Sequence, residues 1–307
     1  MPDICIWNRC NNNCIMCTNP VGFQSKKTSK DYSFEKITER VQTTIDLWNK
    51  NQENLNFTGG EPTTHPRFLE LWYWFRRNFP RKKLVLASNG RMFSYPWFTK
   101  SFLKINNLAI EIAILGPNKE LHDAITGTKG SFEQTVKGIY NILKYRKRLQ
   151  ELELRLILIK QNYELTGEIL DLIANNFSSA DRVIMIFPEP EGKCGKNYKR
   201  VGITYKQVRK KITSVMERFN DKFKDLRLYH FPLCTLGPEL WKYTWITQRR
   251  DEVTYLPSCN DCSYKKFCCG IHKDYLKIVG DKEFKPVKTD LRFKIKDSLY
   301  HPIIDVL

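Results

Sequence analysis

The chain is expected to be an α/β protein built on a parallel sheet, and three observations carry that expectation. Its 307 residues are 41% hydrophobic and 27% charged, a globular mixture that excludes disordered, collagen-like and coiled-coil chains. Short apolar runs alternate with longer segments whose apolar residues recur at helical spacing. Six strand-then-helix units follow one another, and repeated crossovers of that kind require a parallel sheet with helices packed on it. Six units are two short of a complete eightfold barrel. A partial (β/α)6 barrel or an open doubly wound sheet therefore fits, followed by a small cysteine-rich segment.

Each element has a local signal. Residues 4–7 read as a short buried strand. Residues 33–50 place Phe34, Ile37, Val41, Ile45 and Trp48 on one helical face. Residues 54–58 are a strand ending in Gly59-Gly60, and 68–79 an aromatic-rich helix stopped by Pro80. Residues 83–88 are a buried strand closed by Asn89-Gly90, with a short helix at 97–104. Residues 108–115 are strand, and 131–149 are helix with Phe132, Val136, Ile139 and Leu143 on one face. Strand, helix, strand and helix then follow at 152–159, 164–177, 183–187 and 205–219, and 226–230 can add a seventh strand. Beyond about residue 232 the periodicity stops. A remainder so poor in apolar runs depends on a metal or on the larger body. Domain bounds of 1–225, 226–275 and 276–307 follow, the last without an assigned role.

Fifty-one Lys and Arg against 33 Asp and Glu give a formal charge of +18. Residues 193–222 hold ten of those basic side chains against Glu217 and Asp221, a stretch able to attract an acidic peptide or RNA. No recognisable RNA-binding module accompanies it. No run approaches the ~18 apolar residues of a membrane span, and the first residues lack a basic-then-apolar signal. A cytoplasmic location with no membrane partner is expected.

Ten cysteines in such a chain point to metal before disulfides. Cys10, Cys14 and Cys17 form a C-x3-C-x2-C run directly after the first strand, so three thiolates wrap one centre in a tight, Asn-rich loop. Structural zinc usually takes four ligands. Three cysteines suggest instead a 4Fe–4S cluster with one iron left open to substrate or cofactor. Thr58-Gly59-Gly60-Glu61-Pro62 closes the second strand, where glycines allow close backbone approach and a carboxylate can neutralise an ammonium. Ser88-Asn89-Gly90 closes the third. Near the end, Cys259, Cys262 and Cys268 read as C-x2-C-x5-C, with Cys269 competing for the third place and Cys234 available as a fourth thiol. Four thiolates suit zinc or an iron–sulfur cluster alike. Cys194 follows the sixth strand on the side where such sheets carry active sites, as a plain loop cysteine or one facing substrate. Cys5 reads as core.

The three-cysteine loop, GGEP and SNG, in that order after three successive strands, resemble the radical S-adenosylmethionine (SAM) superfamily. The resemblance implies that Cys10, Cys14 and Cys17 hold a 4Fe–4S cluster whose fourth iron is chelated by SAM. It implies that Gly59, Gly60, Glu61 and Pro62 bind the SAM amino group, and Ser88 and Asn89 its ribose. Many relatives carry Ser and Asp in the fourth strand where Ala113 and Leu115 stand here, so those polar contacts must come from elsewhere. Arg155, inside an apolar strand, needs a buried partner: the SAM carboxylate, or Glu111 or Glu153.

The terminal cysteine pattern resembles auxiliary-cluster segments of peptide-modifying members, implying a second 4Fe–4S cluster on Cys234, Cys259, Cys262 and Cys268. Ser88-Asn-Gly-Arg91, the stretch 122–138, Leu233-Cys-Thr-Leu236 and Leu240-Trp241 resemble in particular the HxsC-type maturases of the His-Xaa-Ser peptide system. These stretches cover most of residues 3–275. The implied activity is cleavage of SAM, fed by an external one-electron reductant, to a 5′-deoxyadenosyl radical that abstracts hydrogen from a peptide substrate. Modification of RNA or of a small molecule is the rival enzymatic reading. A non-catalytic iron–sulfur electron carrier is the third, and it leaves GGEP and the large α/β body unexplained.

Overall fold

The computed structural model describes residues 3–44, 54–248 and 250–288. Eight strands lie in chain order in one sheet, every neighbouring pair parallel. They are β1 (Asp3–Trp7), β2 (Asn54–Gly59), β3 (Lys83–Ser88), β4 (Leu108–Ala113), β5 (Gln150–Ile157), β6 (Arg182–Ile186), β7 (Leu226–Tyr229) and β8 (Thr244–Trp245). The sheet thus runs two strands past the six expected units. The seventh is the apolar run noted at 226–230. The eighth has only two residues and no period to detect.

The crossovers carry α1 (Phe34–Thr43), α2 (Phe68–Asn78), α3 (Pro96–Phe102), α4 (Lys119–Thr126), α5 (Ser131–Tyr145) and α6 (Thr166–Phe177). After β6 come two short helices, α7 (Gly192–Lys196) and α8 (Tyr198–Val201), and then α9 (Tyr205–Phe219). The part of the expected first helix at 45–50 lies outside the described residues. Helix α4 has no counterpart in the sequence reading, because eight residues are too few for a period. Its ends are local instead: the Asn118 side chain accepts from Leu121 N (3.0 Å), and Gly127 closes it in the left-handed region. Helix α9 starts on a reciprocal capping box between Thr204 and Gln207. The chain finishes with β9 (Val253–Thr254) and β10 (Ile271–His272), an antiparallel pair, and α10 (Lys273–Val279).

The two faces of the sheet differ in kind. Leu84, Leu86, Ile110, Ile112, Leu152 and Leu154 point to the helices and are fully buried. Against them stacks an aromatic group in which Trp72 lies 4.5 Å from Phe102 and Phe57 4.4 Å from Phe75. The alternate residues carry a ladder of charge. Arg155 pairs with Glu111 and Glu153 (2.6 Å each), Glu153 also with Arg182 (3.1 Å), and Asp225 joins Arg182 (2.9 Å) to Arg227 (2.6 Å). Trp245 caps the ladder, with the guanidinium carbons of Arg182 and Arg227 4.8 and 4.3 Å from its ring. Three arginines and three carboxylates balance, so this charged part of the inner wall is neutral, and it lies beside an apolar patch of Ile157, Ile184, Ile186, Tyr229 and Trp245.

At the end of β4, Leu115 N donates to His122 Nδ1 (3.3 Å), and burial pushes that imidazole down to about 4. Its folded value lies below the unfolded one. The stability it gives is therefore complete above pH 6.5 and lost as pH falls toward 4. Wild type should lose about 3 kcal/mol over that window beyond what His122→Asn loses, as read by urea denaturation at stepped pH. Glu153→Gln leaves two arginines sharing too little negative charge, and should lower unfolding free energy by about 3 kcal/mol at neutral pH.

Candidate functional site

The site begins where β1 ends. Gly60 N donates to Trp7 O (2.6 Å) and Glu61 N to Arg9 O (2.7 Å), so the chain leaving β2 crosses the chain entering the Cys10–Cys17 loop. A Cβ on Gly59 would stand 2.2 Å from Trp7 O, and one on Gly60 2.2 Å from Arg9 O; Gly59 also has φ +144°. The sequence assigned these glycines to ligand approach. The structure first requires them for contact between two backbones, while Gly60 also lines the cavity described below. Pro62 is buried and opens a short 3-10 turn behind them.

Three further strand ends, and β2 again, hold the cysteine loop. After β3, Arg91 Nη1 donates to Asn11 O and to Asn12 Oδ1 (2.7 Å), while its Nε reaches Gln134 of α5 (2.7 Å). After β4, Thr126 and Ile125 of α4 accept from Asn13 N (2.8 Å) and Ile15 N (2.9 Å). After β6, Cys194 N donates to Cys17 O (3.1 Å) and Asn197 Nδ2 to Ile15 O (3.2 Å). Gly192 passes so close that a Cβ there would lie 2.1 Å from Asn19 O. From β2, Gly59 O accepts from Asn19 Nδ2 (2.9 Å). Cys194 is accordingly buried behind the loop, packed in the core.

Cys10, Cys14, Cys17, Gly60, Glu61, Ser88 and Asn89 line one cavity of roughly 570 Å³. Burial pushes the Cys10 and Cys14 thiols up to about 12. They ionise readily only beside a cation. Glu61 is buried, and its carboxylate is fully engaged. It accepts from Thr63 N (3.1 Å), the Thr63 hydroxyl, Ser88 Oγ (2.8 Å) and Asn89 N (2.6 Å). Burial pushes its carboxyl up, against those four donors. Asn89 in turn donates to Asn11 Oδ1 (2.6 Å), tying SNG to the cysteine loop. Two cations also line the cavity among the described residues. Arg155 pairs with both Glu111 and Glu153, the protein partners that the sequence offered beside the SAM carboxylate, and it still lines the cavity. Lys193 Nζ donates to the neutral Asn13 amide (2.5 Å).

The second cysteine set comes together elsewhere. Cys234, Cys259, Cys262 and Cys268 line a small apolar pocket with Leu233, Ile271 and Phe284. Cys269 does not line it; its thiol turns to Gly270 O (3.4 Å) and hydrogen-bonds Cys268, which holds Cys268 below the usual thiol range. Among the described residues, no three or more His, Cys, Asp or Glu side chains are drawn together around a single ion. A buried polar pair of pairs unmarked in the sequence sits near β6 and β7: His230 Nε2 lies 3.5 Å from Glu189, and His272 Nε2 3.2 Å from Glu191. Neither follows from spacing, since the partners are some 40 and 80 residues apart.

A parallel partial barrel with a three-thiol loop, GGEP and SNG at one mouth defines a cluster- and SAM-dependent class. The sequence profile of the Radical SAM superfamily matches residues 4–173, more than half of the chain, and the chain belongs to that superfamily. Membership implies a 4Fe–4S cluster and SAM. The AdoMet-dependent heme synthase of Methanosarcina barkeri is 26% identical over 60% of this chain and 49% of its own length. The antilisterial bacteriocin subtilosin biosynthesis protein AlbA of Bacillus subtilis is 26% identical over 43% of this chain and 28% of its own. SuiB of Streptococcus suis bound to S-adenosylmethionine shares the fold, with a TM-score of 0.57 at 14% identity over 83% of this chain and 53% of that one. The chain spans about half or less of the curated relatives it matches. No helix among the described residues is long and apolar enough to cross a membrane.

Gly60→Ala should displace the Arg9 carbonyl and with it the cysteine loop. A loss of at least about 2 kcal/mol in unfolding free energy is expected, measured by urea titration of the metal-free chain.

Proposed function

We propose that this enzyme matures a ribosomally made peptide by radical SAM chemistry, with the 570 Å³ cavity as the meeting place of SAM and substrate. The observation that carries the reading is the convergence of three thiols, GGEP and SNG on that one cavity. The residues fit the group: the Cys10 and Cys14 thiols, pushed up by burial, need a cation to ionise, and the loop that carries Cys10, Cys14 and Cys17 is fastened from several strand ends. When bound, a 4Fe–4S cluster supplies the electron that cleaves SAM, and the 5′-deoxyadenosyl radical so formed takes hydrogen from substrate.

The protein's part is placement. Glu61 holds Ser88 and Asn89 against Asn11, so recognition of the SAM ammonium falls to the backbone of residues 59–61 and not to that carboxylate. Lys193, hydrogen-bonded to the neutral Asn13 amide beside Cys14, takes the role of meeting the SAM carboxylate. The neutral floor of Arg155 and Glu111 lines the space below without a net charge of its own. Cys234, Cys259, Cys262 and Cys268 would hold an auxiliary 4Fe–4S cluster, which would supply an acceptor for the electron left on an oxidised substrate; zinc there would make the segment structural. The peptide class is supported by the bacteriocin-biosynthesis relative and by the stretches that resemble HxsC-type maturases.

Iron, sulfide and zinc content after anaerobic reconstitution tests the cofactor reading. About eight iron in wild type and about four in the Cys10/Cys14/Cys17 triple variant are expected, and zinc alone would sink it. In turnover with candidate peptides encoded beside the gene, Cys14→Ala should abolish 5′-deoxyadenosine. Cys262→Ala should leave SAM cleavage intact and block the finished product; equal product would remove the second centre from the mechanism. Deoxyadenosine formed with RNA or a small molecule and not with any peptide would favour the rival readings.

A further inference from the structure

The segment after α10 was given no role by its sequence, yet it closes the second cysteine pocket. Phe284, Lys285 and Pro286 form one wall of that pocket. The strap is pinned at three points. Glu283 accepts from Lys206 N at the start of α9 (2.7 Å) and from the Tyr275 hydroxyl. Phe284 is buried, with its ring 5.6 Å from Tyr205 and 5.9 Å from Tyr275. Val287 O accepts from Ser263 N (2.9 Å). So fixed, the strap aims backbone at sulfur: Val287 N donates to Cys262 Sγ (3.5 Å) and Lys285 N to the Cys234 thiol.

We infer that residues 283–287 are a working wall of the second thiolate centre, holding its metal in place by two backbone N–H···S bonds and by sealing it from water. Donors to a ligating sulfur stabilise its charge, more so in an apolar pocket, and such outer partners govern metal retention and cluster potential. The inference rests on the reading of this cysteine set as a metal centre.

The test uses the full chain carrying the Cys10/Cys14/Cys17 triple substitution, so that only the second centre reports. Lys285→Pro and Val287→Pro each delete one N–H, whereas Lys285→Ala and Val287→Ala keep it. The proline variants should lose metal to a chelator about tenfold faster than the parent, and any EPR-active cluster should become harder to reduce. The alanine variants should match the parent. Glu283→Ala, which loosens the strap without touching either N–H, should speed metal loss in the same direction and serves if a proline variant misfolds. Proline and Glu283 variants that all retain metal like the parent would overturn the inference, as would alanine variants that lose it equally fast. Zinc in place of iron would remove the auxiliary-cluster reading alone, since the release rates would still decide the strap. A parent that binds no metal would remove both.

Discussion

Two backbone hydrogen bonds, Gly60 to Trp7 and Glu61 to Arg9, carry the chain leaving the second strand across the chain leaving the first. Everything at the mouth of the barrel is measured from that crossing. It fixes where the cysteine loop starts, and it delivers Glu61 into a position where one buried carboxylate meets Thr63, Ser88 and Asn89 together. Asn89 and Arg91 then reach back to the loop at Asn11 and Asn12. The circuit closes on itself, so the three thiols are positioned by backbone geometry and by one carboxylate.

Such a mouth would be of little use on a soft body. The outer face of the sheet packs like any α/β core, whereas the inner face carries charge beside the apolar patch of Ile157, Ile184, Ile186, Tyr229 and Trp245. Glu111, Arg155, Glu153, Arg182, Asp225 and Arg227 pair on it, across strands at Glu111–Arg155, Glu153–Arg182 and Asp225–Arg182 and along the chain at Glu153–Arg155 and Asp225–Arg227. Each of these ions has an opposite charge within 3.1 Å, which is the condition for tolerating buried charge; Arg227 Nη1 is left buried without a hydrogen bond. The barrel is thus stiffened on the side where it must stay hollow.

Much of this was legible in the sequence, and the parts that were not share a physical cause. Strands and long helices announce themselves by period, so β1 to β7 and α5, α6 and α9 were found near their observed places. Cysteine spacing, GGEP and SNG were visible because their chemistry sits in side-chain identity. Arg155 illustrates the boundary: its need for a partner was plain, whereas the choice between ligand and Glu111 with Glu153 depended on strand register. The two-residue β8, the eight-residue α4 and the strap at 283–287 were silent. A backbone N–H donates equally well from Lys, Val or any other non-proline residue, and so leaves no mark on composition.

The aromatic packing between the two cysteine sets has a consequence for how turnover must be organised. Cys194 backs onto Cys17, Tyr198 of the next helix meets Tyr275 (6.3 Å), and Tyr275 meets Tyr205 (5.0 Å) and the strap residue Phe284. These rings belong to the same buried core as the sheet itself. The two thiol sets are therefore joined through packed core. Under the peptide reading proposed above, a substrate that must answer to both ends would have to supply the reach from its own chain.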